Sequence, residues 1–262
     1  MRAVVYKVKS ELKTEVLNAL ENLCESKSSH TYDKIKSISG EVIKLNLSFL
    51  GFWNGGDMGY STKIYFDDIL KVPQYQESDF VTENVKKSTK VPLFYIDNDS
   101  VNNYLVLYGS KTTCNKLALE LNNILSKKIT NSQSSIRYIR FKINDDKINL
   151  LKEKNAISSL ALMYVTDTDD SVVKSSKVSA KKGKDLHASE EYIRMTELSD
   201  KFKSLKFNSP KFKNKVTISD DGYFCSALNE VQFLHLIAYF LKEFQETGVI
   251  SDESFEEILI CN

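Results

Sequence analysis

Two stretches of this chain share one pattern: an apolar strand, a polar turn, a second apolar strand and then a helix. In the first, VPLFYID and NYLVLYG flank Asp97-Asn98-Asp99-Ser100, and a helix is predicted from about Thr112 to Leu125. Its apolar residues Cys114, Leu117, Ala118, Leu121, Ile124 and Leu125 recur at helical spacing. In the second, KVTI and YFCSAL flank Ser219-Asp220-Asp221-Gly222, where Asp-Gly is a hairpin signal. A helical stripe of Val231, Leu234, Ile237, Ala238, Leu241 and Phe244 follows. Strands joined by short turns pair antiparallel, and a helix with one apolar stripe must bury it on a sheet. The pattern therefore predicts an α+β fold: mainly antiparallel sheets, helices packed on one face, and two strand–turn–strand–helix units.

Other segments fit that frame. Arg2–Val8 reads as a strand, and Ser10 is placed to cap a helix with Leu12, Val16, Leu20 and Leu23 on its apolar face. In EVIKLNLSFLGFW, Ile43, Leu45, Leu47 and Phe49 alternate with Lys44, Asn46 and Ser48, the signature of a half-buried strand. NGGDMG then makes a turn and YSTKIYF a partner strand. Residues 73–90 are polar and read as a connector. SIRYIRFKI and AISSLALMYV are two further strands with a short helical segment between them, and a last short helix is predicted from Ser251. At 262 residues the chain suits two subdomains, taken as 1–130 and 131–262.

Charge is distributed unevenly. The net charge is +1, but residues 171–215 hold 12 Lys+Arg against 5 Asp+Glu, and residues 216–262 hold 1 against 9. The basic stretch, about 171–190, reads as a mobile loop. There are 32 Lys and only 4 Arg, which disfavours extensive bidentate readout of bases.

The search for a catalytic centre yields little. Cys24, Cys114, Cys225 and Cys261 form no C-x-x-C pair, and the three histidines are far apart, so no metal ligand set and no cofactor is implied. His235 sits among Phe233, Leu234, Leu236 and Ile237 and reads as a core or boundary residue. The acidic pairs, Asp145-Asp146 among them, fit turns better than a nuclease metal site. YGSKTT, Tyr108–Thr113, lacks the glycines of a phosphate-binding loop, and Ser110 separates Gly109 from Lys111. A turn with a helix cap at Ser110 or Thr112 explains it, leaving Lys111 at a helix N-terminus where an anion is favoured. No apolar window is long enough to cross a membrane, and the cysteine usage suits a reducing, cytoplasmic setting.

What remains points to polyanion binding. Lys174, Lys177, Lys181, Lys182 and Lys184 are placed to contact phosphates. Tyr138, Arg140 and Lys142 share one parity in SIRYIRFKI and form an aromatic–basic strip. Trp53, in the glycine cluster GFWNGGDMGY, is placed to stack on a base. The first expectation is a non-enzymatic nucleic-acid-binding module of low sequence specificity. The alternative is a protein-interaction subunit of a larger complex, as in bacterial or mobile-element systems, with a protein partner or a second copy of itself. A metal-dependent nuclease comes third.

Overall fold

The computed structural model describes residues 1–37, 40–54, 59–76, 79–97, 103–129, 135–166, 175–198, 202–251 and 254–258, apart from the side chains at 52–54, 76, 79–80, 166 and 198. It is α+β, with thirteen mostly antiparallel strands and five α-helices among those residues. The chain forms two compact units and does not divide at a single point. The N unit is Val8–Ile136 with Ile258–Asn262; the C unit is Met1–Lys7 with Arg137–Glu257.

The N unit contains α1 (Lys13–Glu25), β2 (Ser29–Lys36), β3 (Val42–Asn54), β4 (Tyr60–Gln76), β5 (Asp79–Ile96), β6 (Asn103–Tyr108) and α2 (Lys111–Lys128). Its strands lie in the order β2-β3-β4-β5-β6. Leu45, Leu47 and Phe49 are buried on β3 as the alternation requires. The α1 stripe of Val16, Leu20 and Leu23 is buried too. Ser10, however, does not cap α1: a 3-10 turn at Ser10–Leu12 intervenes, and the N-cap position is Leu12, with no side-chain cap. Residues 73–76 and 79–90 are not a connector. They are the end of β4 and the first part of β5, which pair in continuous register from Tyr60↔Tyr95 to Gln76↔Asp79. β3 pairs with β4 only over Tyr60–Phe66, and β6 pairs with β5 only over Leu93–Ile96. Beyond those limits the two strands form a ribbon with little to bury, so its sequence shows no strong alternation. Pro73 is tolerated there because β4 needs to donate hydrogen bonds on one side only.

The C unit is built on β1 (Arg2–Val8), β7 (Ile136–Ile139), β8 (Ser159–Thr166), β9 (Ser175–Ser179), β10 (Phe202–Ser209), β11 (Asn214–Ser219), β12 (Tyr223–Ser226) and β13 (Phe255–Glu257). The order is β1-β12-β11-β10-β8-β9, and β7 pairs with both β1 and β13. Its helices are α3 (Asp145–Glu153), α4 (Glu190–Leu198) and α5 (Glu230–Glu246). One sheet face is the core. Phe224, Ile218, Leu205 and Met163 stand in one cross-strand row, all buried, and Phe207 and Phe224 meet Phe240 and Phe244 of α5 at ring-centroid distances of 5.2 and 6.4 Å.

Several local expectations change here. The buried face of α5 is Phe233, Leu234, Leu236, Ile237, Phe240, Leu241 and Phe244; Leu234, Ile237, Leu241 and Phe244 of the expected stripe are buried, but Val231 is 66% exposed and His235 is exposed rather than at the core. Asp145 and Asp146 open α3 instead of forming a turn; the Asn144 side chain caps it by accepting from the Lys147 N–H at 3.1 Å. Phe255–Glu257 is a strand rather than part of a helix. No helix among the described residues is long and apolar enough to cross a membrane.

Candidate nucleic-acid interface

The face of the C-unit sheet opposite α5 has a different chemistry. Registers place Cys225, Thr217, Lys206, Leu162 and Ser179 in one row across β12, β11, β10, β8 and β9. The next row holds Ser219, Ser204, Tyr164 and Lys177. Lys215 and Asn208 stand opposite each other further along. These side chains are half-buried to exposed, and none of them is a carboxylate.

The same end of the sheet gathers more lysines. β9 runs out beside the start of β8, where the Ala180 N–H donates to the Ala161 carbonyl, and a turn carrying Lys181, Lys182 and Lys184 follows, all three exposed. Asp185 fastens that turn. Its carboxylate accepts from the Leu160 N–H at 2.7 Å and the His187 N–H at 3.2 Å and pairs with Lys152 at 2.9 Å. Burial alone would raise the Asp185 carboxyl, but those three donors outweigh it and hold it below its ordinary value. His187 then packs on Tyr192 and hydrogen-bonds Asn149, while the Tyr192 hydroxyl donates to Asp145. Burial holds the His187 imidazole below its ordinary pKa, helped by the nearby Lys152.

Across β8, the β10–β11 turn lines a depression of about 460 Å³ with Ser158, Asn208, Ser209, Pro210, Lys213, Asn214 and Lys215. It contains two ammonium groups and no carboxylate. The Ser209 hydroxyl is buried and has no hydrogen-bond partner. Lys211 lies 4.0 Å from the Tyr239 ring centroid and holds this turn against α5. Lys177, Lys181, Lys182, Lys184, Lys206, Lys213 and Lys215 make no ion pair among the described residues, whereas Lys152, Lys154 and Lys203 are each matched by a carboxylate. Seven unmatched cations therefore share one face and one end of a sheet.

The other residues singled out from sequence fall elsewhere. Lys174 lies outside the described residues. Of Tyr138, Arg140 and Lys142 only Tyr138 lies within β7, which ends at Ile139; the alternation continues beyond it, with Ile139, Phe141 and Ile143 buried and Arg140 and Lys142 outside the core. Arg140 pairs with Glu256 at 3.0 Å and Arg137 with Glu257 at 2.7 Å, because β13 lies antiparallel along β7. The Glu256 carboxylate raises the Arg140 guanidinium above its ordinary pKa. Tyr138 packs against Tyr6 at 5.9 Å. Lys111 opens α2 in the N unit, where Ser110 is the N-cap and accepts from the Thr113 N–H at 3.2 Å. Trp53 lies on β3 of the N unit opposite Ser61; its side chain is outside the described residues. Among the described residues, no three or more His, Cys, Asp or Glu converge as metal ligands.

Sequence reasoning missed Tyr164, Lys206, Lys213 and Lys215. The signal was present in FKSLKFNS, where Phe202, Leu205 and Phe207 mark an inward face and Lys206 an outward one. Lysine density over this region obscured the strand. No protein-family model matches the chain, and no curated protein is significantly similar to it in sequence.

Proposed function

We propose that the protein is a non-enzymatic module that binds nucleic acid with little sequence specificity, through the open face and lysine-rich end of the C-unit sheet. The observation that carries this reading is the set of seven lysines, free of carboxylate partners, on one face and at one end of the sheet, with Tyr164 opposite Lys177 on that face. Ammonium groups on a sheet attract a phosphate backbone without reading bases. An aromatic ring among them gives a single-stranded base a surface to stack on. The depression beside Lys213 and Lys215 suits one phosphate group, with the Ser209 and Asn208 side chains as polar neighbours. Lys177, Lys181, Lys182 and Lys184 supply the second side of the track. The hairpin–helix segments β5–β6–α2 and β11–β12–α5 act as the scaffold, with α5 covering one sheet face and leaving the other for the ligand.

The test is fluorescence anisotropy with labelled single-stranded and duplex oligonucleotides of unrelated sequence over a salt series. Affinity falls with salt, with about −0.7 (single strand) or −0.9 (duplex) in log–log slope for each phosphate contact. Sequence has little effect. Substituting Lys181, Lys182 and Lys184 by Glu flattens the slope. Binding that is absent at low salt, or is untouched by that triple substitution and by charge reversal at Lys206 and Lys215, overturns the assignment.

A further inference from the structure

The β4–β5 ribbon of the N unit has no role in that reading. Its outer half exposes apolar side chains that a monomer has no use for: Leu70 is 48% and Val85 39% exposed, and the two are direct cross-strand partners. Its base is firmly fixed. Asp67 is buried and accepts from Ser88 Oγ at 2.5 Å and the Asn46 N–H at 3.0 Å, with Lys86 at 3.1 Å. From Val81 to Thr89, β5 is paired on one side only, with β4. A long, regular edge of this kind is a template for another strand.

We propose that this edge pairs with the same edge of a second copy, antiparallel about a two-fold axis at Val85. An isologous contact requires the strand to complement itself, and the order of charges along β5 does so in one register. With Val85 opposite Val85, Lys87 of each copy stands opposite Glu83 of the other, giving two opposite-charge cross-strand pairs. The central row of the resulting four-stranded sheet is Leu70–Val85–Val85–Leu70, which gives each exposed Val85 an apolar cross-strand neighbour. Neighbouring registers fail. An axis at Lys86 sets two Lys86 side chains against each other. An axis at Asn84 sets Lys87 against Val81 and Glu83 against Val85. An odd offset has no two-fold, because it would place opposite pleat faces together. Within one copy, Glu83 accepts from the Gln74 side chain, and Lys87, which is exposed, makes no ion pair among the described residues.

The experiment is sedimentation velocity of the full chain, without nucleic acid, over a concentration series. The native protein shows a concentration-dependent monomer–dimer equilibrium. Glu83→Lys and Lys87→Glu, each alone, are monomeric at concentrations where the native protein is dimeric. The double variant Glu83→Lys/Lys87→Glu dimerises again, and an equimolar mixture of the two single variants forms a heterodimer. That recovery cannot come from misfolded chains. A native protein that stays monomeric throughout, single variants that dimerise as the native chain does, or a mixture that fails to associate overturns the proposal. So does capture of only a foreign protein at this edge.

Discussion

Two basic regions of the C unit differ in what stands beside them. Along β7 and just past it, Arg137 and Arg140 face Glu257 and Glu256 of β13, and each guanidinium is taken up by a carboxylate. Along β8 to β11, Lys206 faces Thr217 and Leu162, Lys177 faces Tyr164 and Lys215 faces Asn208, none of them a carboxylate. In sequence both regions read as cationic and near tyrosine. The topology separates them, because the strand bringing carboxylates to β7 comes from more than a hundred residues away. The number of cations is thus a poor guide to a binding surface; the neighbouring strand decides whether their charge is available to a ligand.

The largest expected effect tests whether the unmatched lysines are displayed by a folded sheet rather than by a flexible tail. Phe207 is 1% exposed, on the strand carrying Lys206, with its ring against Phe240. Phe207→Ala removes that contact and leaves a cavity, costing about 3–5 kcal/mol. Chemical denaturation reads the loss. In conditions where the variant unfolds and the native protein does not, anisotropy loses the nucleic-acid affinity as well. Affinity that survives unfolding would mean a tail binds, and the contrast with β7 would lose its structural basis.

The second prediction acts on the ligand alone. Lys206→Glu with Lys215→Glu lowers affinity on the order of 100-fold at low salt and reduces the salt slope by about 2. Both side chains lie on the open face, so the denaturation midpoint moves little. A midpoint shift as large as the Phe207→Ala shift would show that the lysines serve packing and not binding.

Much of the fold was legible because burial leaves a period. β3, α1 and α2 announce themselves through alternation or a helical stripe, and Ser110 is a recognisable cap. Three features were not legible, each for a physical reason. The β4–β5 ribbon buries little, so residues 69–87 carry no sharp inside–outside contrast, and Pro73 argues against a strand unless its edge position is known. The buried face of α5 keeps Leu234, Ile237, Leu241 and Phe244 of the expected stripe but is shifted from it, because Phe233, Leu236 and Phe240 outweigh Val231 and Ala238. The lysine face requires two sequence-adjacent strand pairs, β8–β9 and β10–β11, to join through the non-local pairing of β8 with β10. Lys177 and Lys206 flank Tyr164 and Leu162 only because β8 lies between β9 and β10, an order no local pattern contains. For the same reason the Arg140 strip looked open: nothing near residue 140 reveals Glu256.

The third prediction concerns the anchor of the lysine turn and depends on pH. The Asp185 carboxyl lies below its ordinary value, so it contributes stability in full above about pH 4 and loses it as pH falls through the lowered folded pKa. Asp185→Asn therefore costs about 1 kcal/mol at neutral pH, a value discounted for partial exposure, and the gap from the native protein closes in acid. Hydrogen exchange at Ala180–Ser189 speeds up in the variant at pH 7. A pH-independent gap would show that side-chain shape, not charge, holds the turn.

The smallest effect is the sharpest test of the contrast. Arg140 and Glu256 are 42% and 53% exposed, and pairs of that exposure contribute about 0–1 kcal/mol. Arg140→Gln should lower stability by no more than that and leave both the affinity for nucleic acid and its salt slope unchanged. Glu256→Gln is the complementary measurement, because it releases the arginine without removing it. If the carboxylate is what keeps Arg140 from a ligand, Glu256→Gln steepens the salt slope by up to about 1, while the Arg140→Gln/Glu256→Gln pair returns it to the native value. A slope that drops on Arg140→Gln alone would place the β7 arginines on the ligand and erase the difference between the two regions.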